Sequence, residues 1–144
     1  MKGTEQLFSS SSENWSTPMD LFELINSKYN FTVDVCADAS NNKVKKYYNI
    51  QKDGLSQDWS NDVCWCNPPY GKNISKWIEK AYVESEKGTK IVMLLPSRTD
   101  TKWFHNFIYE NKNAKIEFIK GRLKFSGSNN SAPFPSMIVK FNLN

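Results

Sequence analysis

Two periodicities of apolar residues alternate along this chain. Residues 1–14 are polar, carry four consecutive serines at 9–12, and read as a mobile tail. Behind Pro18, Leu21, Phe22, Leu24 and Ile25 recur at helical spacing, with Ser16 or Thr17 in place to cap the helix. Residues 31–36 read as a strand with Asp34 near its end, and residues 37–42 as a turn or short helix start. Residues 46–50 read as a short strand, and Asp53-Gly54-Leu55 and Asp58-Trp59 lie in a loop. The strand at 62–66 stops at two prolines. Ile74, Trp77, Ile78, Ala81 and Tyr82 then mark a helix that Gly88 closes. Residues 90–95 form a continuous apolar strand, as a sheet covered on both faces requires, and Pro96 ends it. Thr99 or Asp100 is placed to cap a helix holding Trp103, Phe104, Phe107 and Ile108. A strand at 115–119 continues through 121–125, a loop covers 127–131, and residues 136–141 alternate as a last strand.

This order predicts one α/β domain over residues 15–144, built on a mainly parallel sheet with an antiparallel strand near the C-terminus. Ligands of such sheets bind beyond the carboxyl ends of strands. Asp34 and Asn67 both fall at such ends. The chain has 144 residues, 39% of them apolar and 14% aromatic, which are globular values. A net charge of +4 is compatible with a polyanionic partner without requiring one. No apolar run approaches twenty residues, and the N-terminus lacks a charged-then-apolar secretory pattern, so a soluble cytoplasmic protein is expected. Cys36, Cys64 and Cys66 are read as reduced thiols. Zinc would need four ligands, and His105 is the sole histidine, so no metal is expected.

The densest chemistry lies at Asn67-Pro68-Pro69-Tyr70. Two prolines fix φ, remove two backbone donors and bar the preceding residues from helix. The corner is therefore stiff, and its carbonyls have no local N–H to bond. Asn67 adds a side-chain acceptor and Tyr70 a ring. Two acceptors beside a ring suit a planar group with an exocyclic NH₂, such as a nucleobase or an amide. The alternative is a rigid strand-to-helix turn without chemistry. Asp34 either caps the turn after its strand or accepts from a ligand.

Taken in order, several motifs identify the chain as similar to the small phage-type DNA N6-adenine methyltransferases (phage Dam), which use S-adenosylmethionine. Trp15-Ser16-Thr17-Pro18 resembles the family's N-terminal cofactor segment, and Asp34-Val35-Cys36-Ala37-Asp38 its first cofactor motif. Asp53-Gly54-Leu55 with Asp58-Trp59 resembles the segment that holds the cofactor's adenine. Asn67-Pro68-Pro69-Tyr70 resembles the catalytic motif. The stretch from Leu95 to His105, Gly121-Arg122-Leu123-Lys124-Phe125 and Ala132-Pro133-Phe134-Pro135-Ser136 resemble C-terminal signatures. The glycine-rich first motif is absent, and the span from Asp34 to Asn67 is short for two further strand–helix units. The resemblance therefore implies a compact, trimmed Rossmann-like methyltransferase fold.

It also implies an enzyme, phage or prophage encoded, acting in a bacterial cytoplasm on DNA. Asn67, Pro68, Pro69 and Tyr70 would be catalytic. Trp15, Thr17, Pro18, Asp34, Cys36, Ala37, Asp53 and Leu55 would bind the cofactor, with Asp38 or Asp53 as the ribose acid. Arg98, Lys102, Arg122 and Lys124 are candidate phosphate contacts, and Phe125 either stacks on an extruded base or fills core. His105 reads as a surface or packed histidine. A chain this short can recruit a second copy to cover enough DNA. Two other readings stay open: methylation of a glutamine amide or of RNA, and a catalytically silent nucleic-acid-binding module of the same fold.

Overall fold

A computed structural model describes residues 14–144. Of the expected polar tail, all but Asn14 lies outside the described residues. Helix α1 (Met19–Tyr29) starts where Pro18, at φ −56° and ψ 134°, turns the chain into the helical region. Neither Ser16 nor Thr17 caps it, contrary to expectation. The cap position is Pro18, with no side-chain cap bond, and the Thr17 hydroxyl is engaged by Asn67 instead. The helix ends at Asn30, left-handed at φ 55°, and the Asn26 side chain accepts from the next N–H, that of Phe31, at 2.8 Å. Phe22, buried, sets this helix on the sheet through the Trp65 ring at 5.2 Å.

Strand β1 (Val33–Asp34) is shorter than the expected 31–36. The cause is Asp34 itself, whose carboxylate accepts from the backbone N–H of Cys36 and of Lys43 and curls the chain off the sheet. Residues 46–50, expected as a strand, make a single bridge between Tyr47 and Asp34. Gly54 then opens a short 3₁₀ turn, Gly54–Ser56. A Cβ on Gly54 would lie 2.0 Å from the Val35 carbonyl oxygen, so the turn can close on β1 only without a side chain.

Strand β2 (Val63–Cys66), helix α2 (Ile74–Glu86) and strand β3 (Lys90–Pro96) lie where the periodicity puts them. The next helix departs from expectation. It contains a π-helical turn, Phe104–Ile108, and Thr101 rather than Thr99 or Asp100 accepts at its start, from Phe104 N at 3.3 Å. Strand β4 (Ala114–Phe118) does not continue through 121–125. Those residues belong to an irregular excursion, 119–135, that ends at strand β5 (Ser136–Phe141).

The strand order is β1-β2-β3-β5-β4. Pairings β1–β2 and β2–β3 are parallel, while β3–β5 and β4–β5 are antiparallel. The sheet is therefore mixed: β1, β2, β3 and β4 run one way, and β5 is the antiparallel strand expected near the C-terminus. The physical reason is the place of β5. Inserted between β3 and β4, one reversed strand makes two antiparallel seams. Residues 91–96 of β3, at the centre of the sheet, are buried throughout, as the unbroken apolar run requires. No helix among the described residues is long and apolar enough to cross a membrane.

Candidate active site

Three parallel strands end at one edge of the sheet. Asp34 is level with Trp65 in the β1–β2 register, so Asn67 lies two residues further along the neighbouring strand. Between these ends opens a cleft of about 330 Å³, within the range of small-molecule sites. Trp15, Ser16 and Thr17 form one wall, and Asn67, Pro68 and Pro69 another. Asp34, Cys36, Ala37 and Asp38 line it from the β1 side.

Asp34 is buried, and its two oxygens accept from Cys36 N at 3.3 Å and Lys43 N at 3.0 Å. Burial raises its pKa from 3.8 to about 6, against the lowering effect of those two hydrogen bonds and of the Lys43 charge. It is thus a carboxylate at neutral pH, held in poor solvent and improved by any cation placed before it. Burial, together with the nearby negative charges of Asp34 and Asp38, pushes the Cys36 thiol up to about 12, so it stays protonated. Asp38 also lines the cleft. Hydrogen bonds from Ser40 hold its carboxyl below the usual range.

Asn67 carries the most informative geometry. Its Nδ2 donates to the Trp15 carbonyl and, at 3.0 Å, to Thr17 Oγ1. A backbone carbonyl can only accept, so this contact fixes which end of the amide faces the wall. The other end, Oδ1, is buried and finds no partner among the described residues. Orphaned buried acceptors are rare in folded proteins and mark places where something else is expected to donate.

Other sequence candidates fall elsewhere. Pro18, Asp53, Leu55 and Tyr70 are not among the residues lining the cleft. The Asp53 side chain is engaged by Leu55 N at 3.2 Å, inside the 3₁₀ turn. Tyr70 is buried. Its hydroxyl donates to the Leu94 carbonyl at 2.9 Å, and its ring packs on Phe134 and Phe125 at 5.5 and 6.3 Å. Phe125 is buried among these rings, so the alternative of core packing is the one observed. Arg98, Lys102, Arg122 and Lys124 are all exposed, and none forms a salt bridge among the described residues. His105 is exposed and leans on the rings of Phe104 and Tyr109.

Sequence reasoning missed Lys43, Ile50 and the double role of Trp77. All three line the cleft. Ile50 is 92% exposed at its rim, a large apolar side chain open to water. Its one sequence signal was being the lone apolar residue within Asn49-Ile50-Gln51-Lys52-Asp53. Trp77 sits at a core position of α2, and no periodicity marks the part of its ring that reaches a cleft. Among the described residues, no group of three or more His, Cys, Asp or Glu side chains could hold a metal ion. The cysteines are free, with Cys64 and Cys66 buried.

Comparisons with known proteins identify the family. Residues 5–139 match the family model described as DNA N-6-adenine-methyltransferase (Dam). A DNA N-6-adenine-methyltransferase of Haemophilus phage HP1 is 32% identical over 136 residues, 88% of this chain and 77% of the phage protein. A second, from Escherichia phage T1, is 32% identical over 92 residues, 62% of this chain but only 38% of its own length. With the match running from the N-terminal wall of the cleft to β5, the chain belongs to the DNA N-6-adenine-methyltransferase (Dam) family.

Proposed function

We propose that this DNA N-6-adenine-methyltransferase moves a methyl group from S-adenosylmethionine to adenine N6 in the cleft between Asp34 and Asn67. The observation that carries the reading is the orphaned, buried Oδ1 of Asn67, a residue that lines that cleft. The residues present fit the donor. Asp34 offers a desolvated carboxylate to its ammonium, Lys43 a cation to its carboxylate, and Asp38 an acceptor for ribose hydroxyls. Ile50 and Trp77 offer apolar surface to its ring. In this reading Asp38, which lines the cleft, rather than Asp53 is the ribose acid. The sheet is read as a trimmed Rossmann-like methyltransferase sheet in one domain, residues 15–144, with β1 pairing directly to β2.

S-adenosylmethionine supplies a methyl carbon on a sulfonium, which departs as a neutral thioether. The chain has to make N6 nucleophilic, because its lone pair is delocalised into the purine ring. Asn67 Oδ1 accepts one N6 hydrogen and the Pro68 carbonyl the other, drawing the nitrogen toward a tetrahedral geometry with its lone pair on the donor side. As the N–C bond forms and the C–S bond breaks, N6 becomes cationic. The two oxygens stabilise that charge until one proton leaves to solvent. Such preorganised dipoles are worth about 2.7–4 kcal/mol each when removed. Extruding the base costs a few kcal/mol, and exposed Arg98, Lys102, Arg122 and Lys124 are assigned to the phosphates that hold the strand meanwhile.

Mapping of modified bases in DNA from cells expressing the chain tests this. N6-methyladenine in a recurring sequence context is expected, and it should vanish with Asn67→Ala. Unmodified DNA from cells holding folded, donor-binding protein would refute the reading, as would methyl transfer to protein or RNA.

A further inference from the structure

Resting on the reading that Asn67 Oδ1 accepts from N6, we propose that Thr17 is a positioning residue whose hydroxyl oxygen joins the Trp15 carbonyl in holding the catalytic amide in its acceptor orientation. Thr17 is buried, and its Oγ1 takes the Asn67 Nδ2 hydrogen at 3.0 Å, while the Trp15 carbonyl takes the other. An NH₂ group has two hydrogens, and both are thereby consumed. A flipped amide would set Oδ1 against the Trp15 carbonyl, acceptor against acceptor, and would present a donor to the adenine N–H. Two acceptors on the nitrogen also draw electron density toward Oδ1, which strengthens it as an acceptor.

The backbone that carries Thr17 is itself fixed. Ser126 N donates to the Ser16 carbonyl at 3.0 Å, and Ser126 Oγ donates to the Thr17 carbonyl at 3.1 Å. The Trp15 ring lies against Phe125 and Phe134, at 5.4 and 5.3 Å. Residues 15–17 thus form a strap across the cleft, pinned by the 119–135 excursion on one side and bonded to Asn67 on the other. This gives Thr17 a role through Asn67, distinct from a contact with the donor and from capping α1.

Two variants separate the possibilities. Thr17→Val keeps the shape and removes the oxygen, whereas Thr17→Ser keeps the oxygen and removes a methyl. With saturating DNA, Thr17→Val should lower kcat roughly tenfold, the scale of one lost hydrogen bond in a desolvated site. Its KM for S-adenosylmethionine should stay within about twofold of the parent. Thr17→Ser should restore kcat to within about threefold. In the ligand-free chain, the Asn67 side-chain NH₂ should show one proton moved upfield and exchanging faster in Thr17→Val, and neither in Thr17→Ser. A raised KM at unchanged kcat would overturn the proposal in favour of a donor contact. Equal damage from both variants would overturn it in favour of packing. An unchanged NH₂ signal in Thr17→Val would overturn it outright. The NMR readout needs no turnover, so a chain that methylates nothing would refute the proposed function while the Thr17 contact is still decided separately.

Discussion

Replacing Asp34 by asparagine should remove from the stability of this protein a pH dependence that reports the buried carboxylate directly. Asp34 is 2% exposed, and its pKa rises from 3.8 to about 6 because burial penalises the charged form more than two backbone hydrogen bonds compensate. Between those two pH values the folded chain binds more protons at this site than the unfolded chain does. The contribution to stability is therefore fully present below about pH 4 and is lost as pH rises through about 6. A difference of about two pH units at about 1.4 kcal/mol each makes that loss roughly 3 kcal/mol. The amide of the Asp34→Asn variant does not titrate. The variant also loses one backbone hydrogen bond, since an NH₂ cannot accept, but that cost of about 1–3 kcal/mol is independent of pH. Urea unfolding of both proteins at a series of pH values, without ligand, isolates the site, because the other groups cancel in the difference. The parent's advantage over Asp34→Asn should shrink by roughly 3 kcal/mol between about pH 3.5 and 7.5. Parallel curves, or a difference growing toward neutral pH, would refute the reasoning. Binding should run the opposite way. A cation seated before Asp34 favours the carboxylate, so affinity for S-adenosylmethionine should rise with pH through about 6 in the parent and stay low and flat in Asp34→Asn.

Asn67→Ala should lower kcat by roughly 10²–10³ while isothermal titration shows donor affinity within about threefold of the parent. Turnover near the parent level would remove Asn67 from the chemistry. Gly54→Ala forces a Cβ to 2.0 Å from the Val35 carbonyl oxygen and 3.0 Å from the Trp77 ring. It should cost about 2 kcal/mol or more in urea unfolding, and a loss under about 0.5 kcal/mol would mean the turn is not closed on β1. Arg122→Ala and Lys124→Ala should each reduce the slope of log affinity for duplex DNA against log salt by about 1, equally across sequences. An unchanged slope would take the 119–135 excursion off the phosphates.

What was legible in the sequence follows from how local each signal is. Helices α1 and α2 and strands β2, β3 and β5 obey their own periodicities and stand where these put them. The Asn67 corner was legible because two prolines dictate the backbone with no help from the rest of the chain. Failures came where a distant partner overrides a local preference. Thr17 has the chemistry of a helix cap, but Asn67, fifty residues away, claims its hydroxyl. Asp34 bends its own strand by taking the Cys36 N–H, which a longer β1 would have left to the ladder, together with that of Lys43 from the following turn. The strand order was hidden because the place where β5 inserts leaves no mark in the periodicity of β5 itself. Gly54 was quoted for a motif resemblance, whereas its physical reason is close approach to the Val35 carbonyl.

The enclosure of Tyr70 ties these observations together. Its ring was expected to face a base, and it instead meets Phe125 and Phe134 edge-on, with its hydroxyl held by the Leu94 carbonyl. Both neighbouring phenylalanines belong to the 119–135 excursion. That segment also carries Arg122 and Lys124, and through Ser126 it pins the strap that orients Asn67. Aromatic pairs of this kind are worth about 0.5–1.5 kcal/mol each beyond their burial. A stacked base returns about 1–3 kcal/mol. Exchanging the two phenylalanine contacts for one base would therefore be close to balanced, and phosphate contacts by Arg122 and Lys124, as proposed, would tip it. On that reading an extruded adenine, the Tyr70 ring and the Asn67 acceptor would be governed by one stretch of chain, residues 119–135, rather than by three independent features.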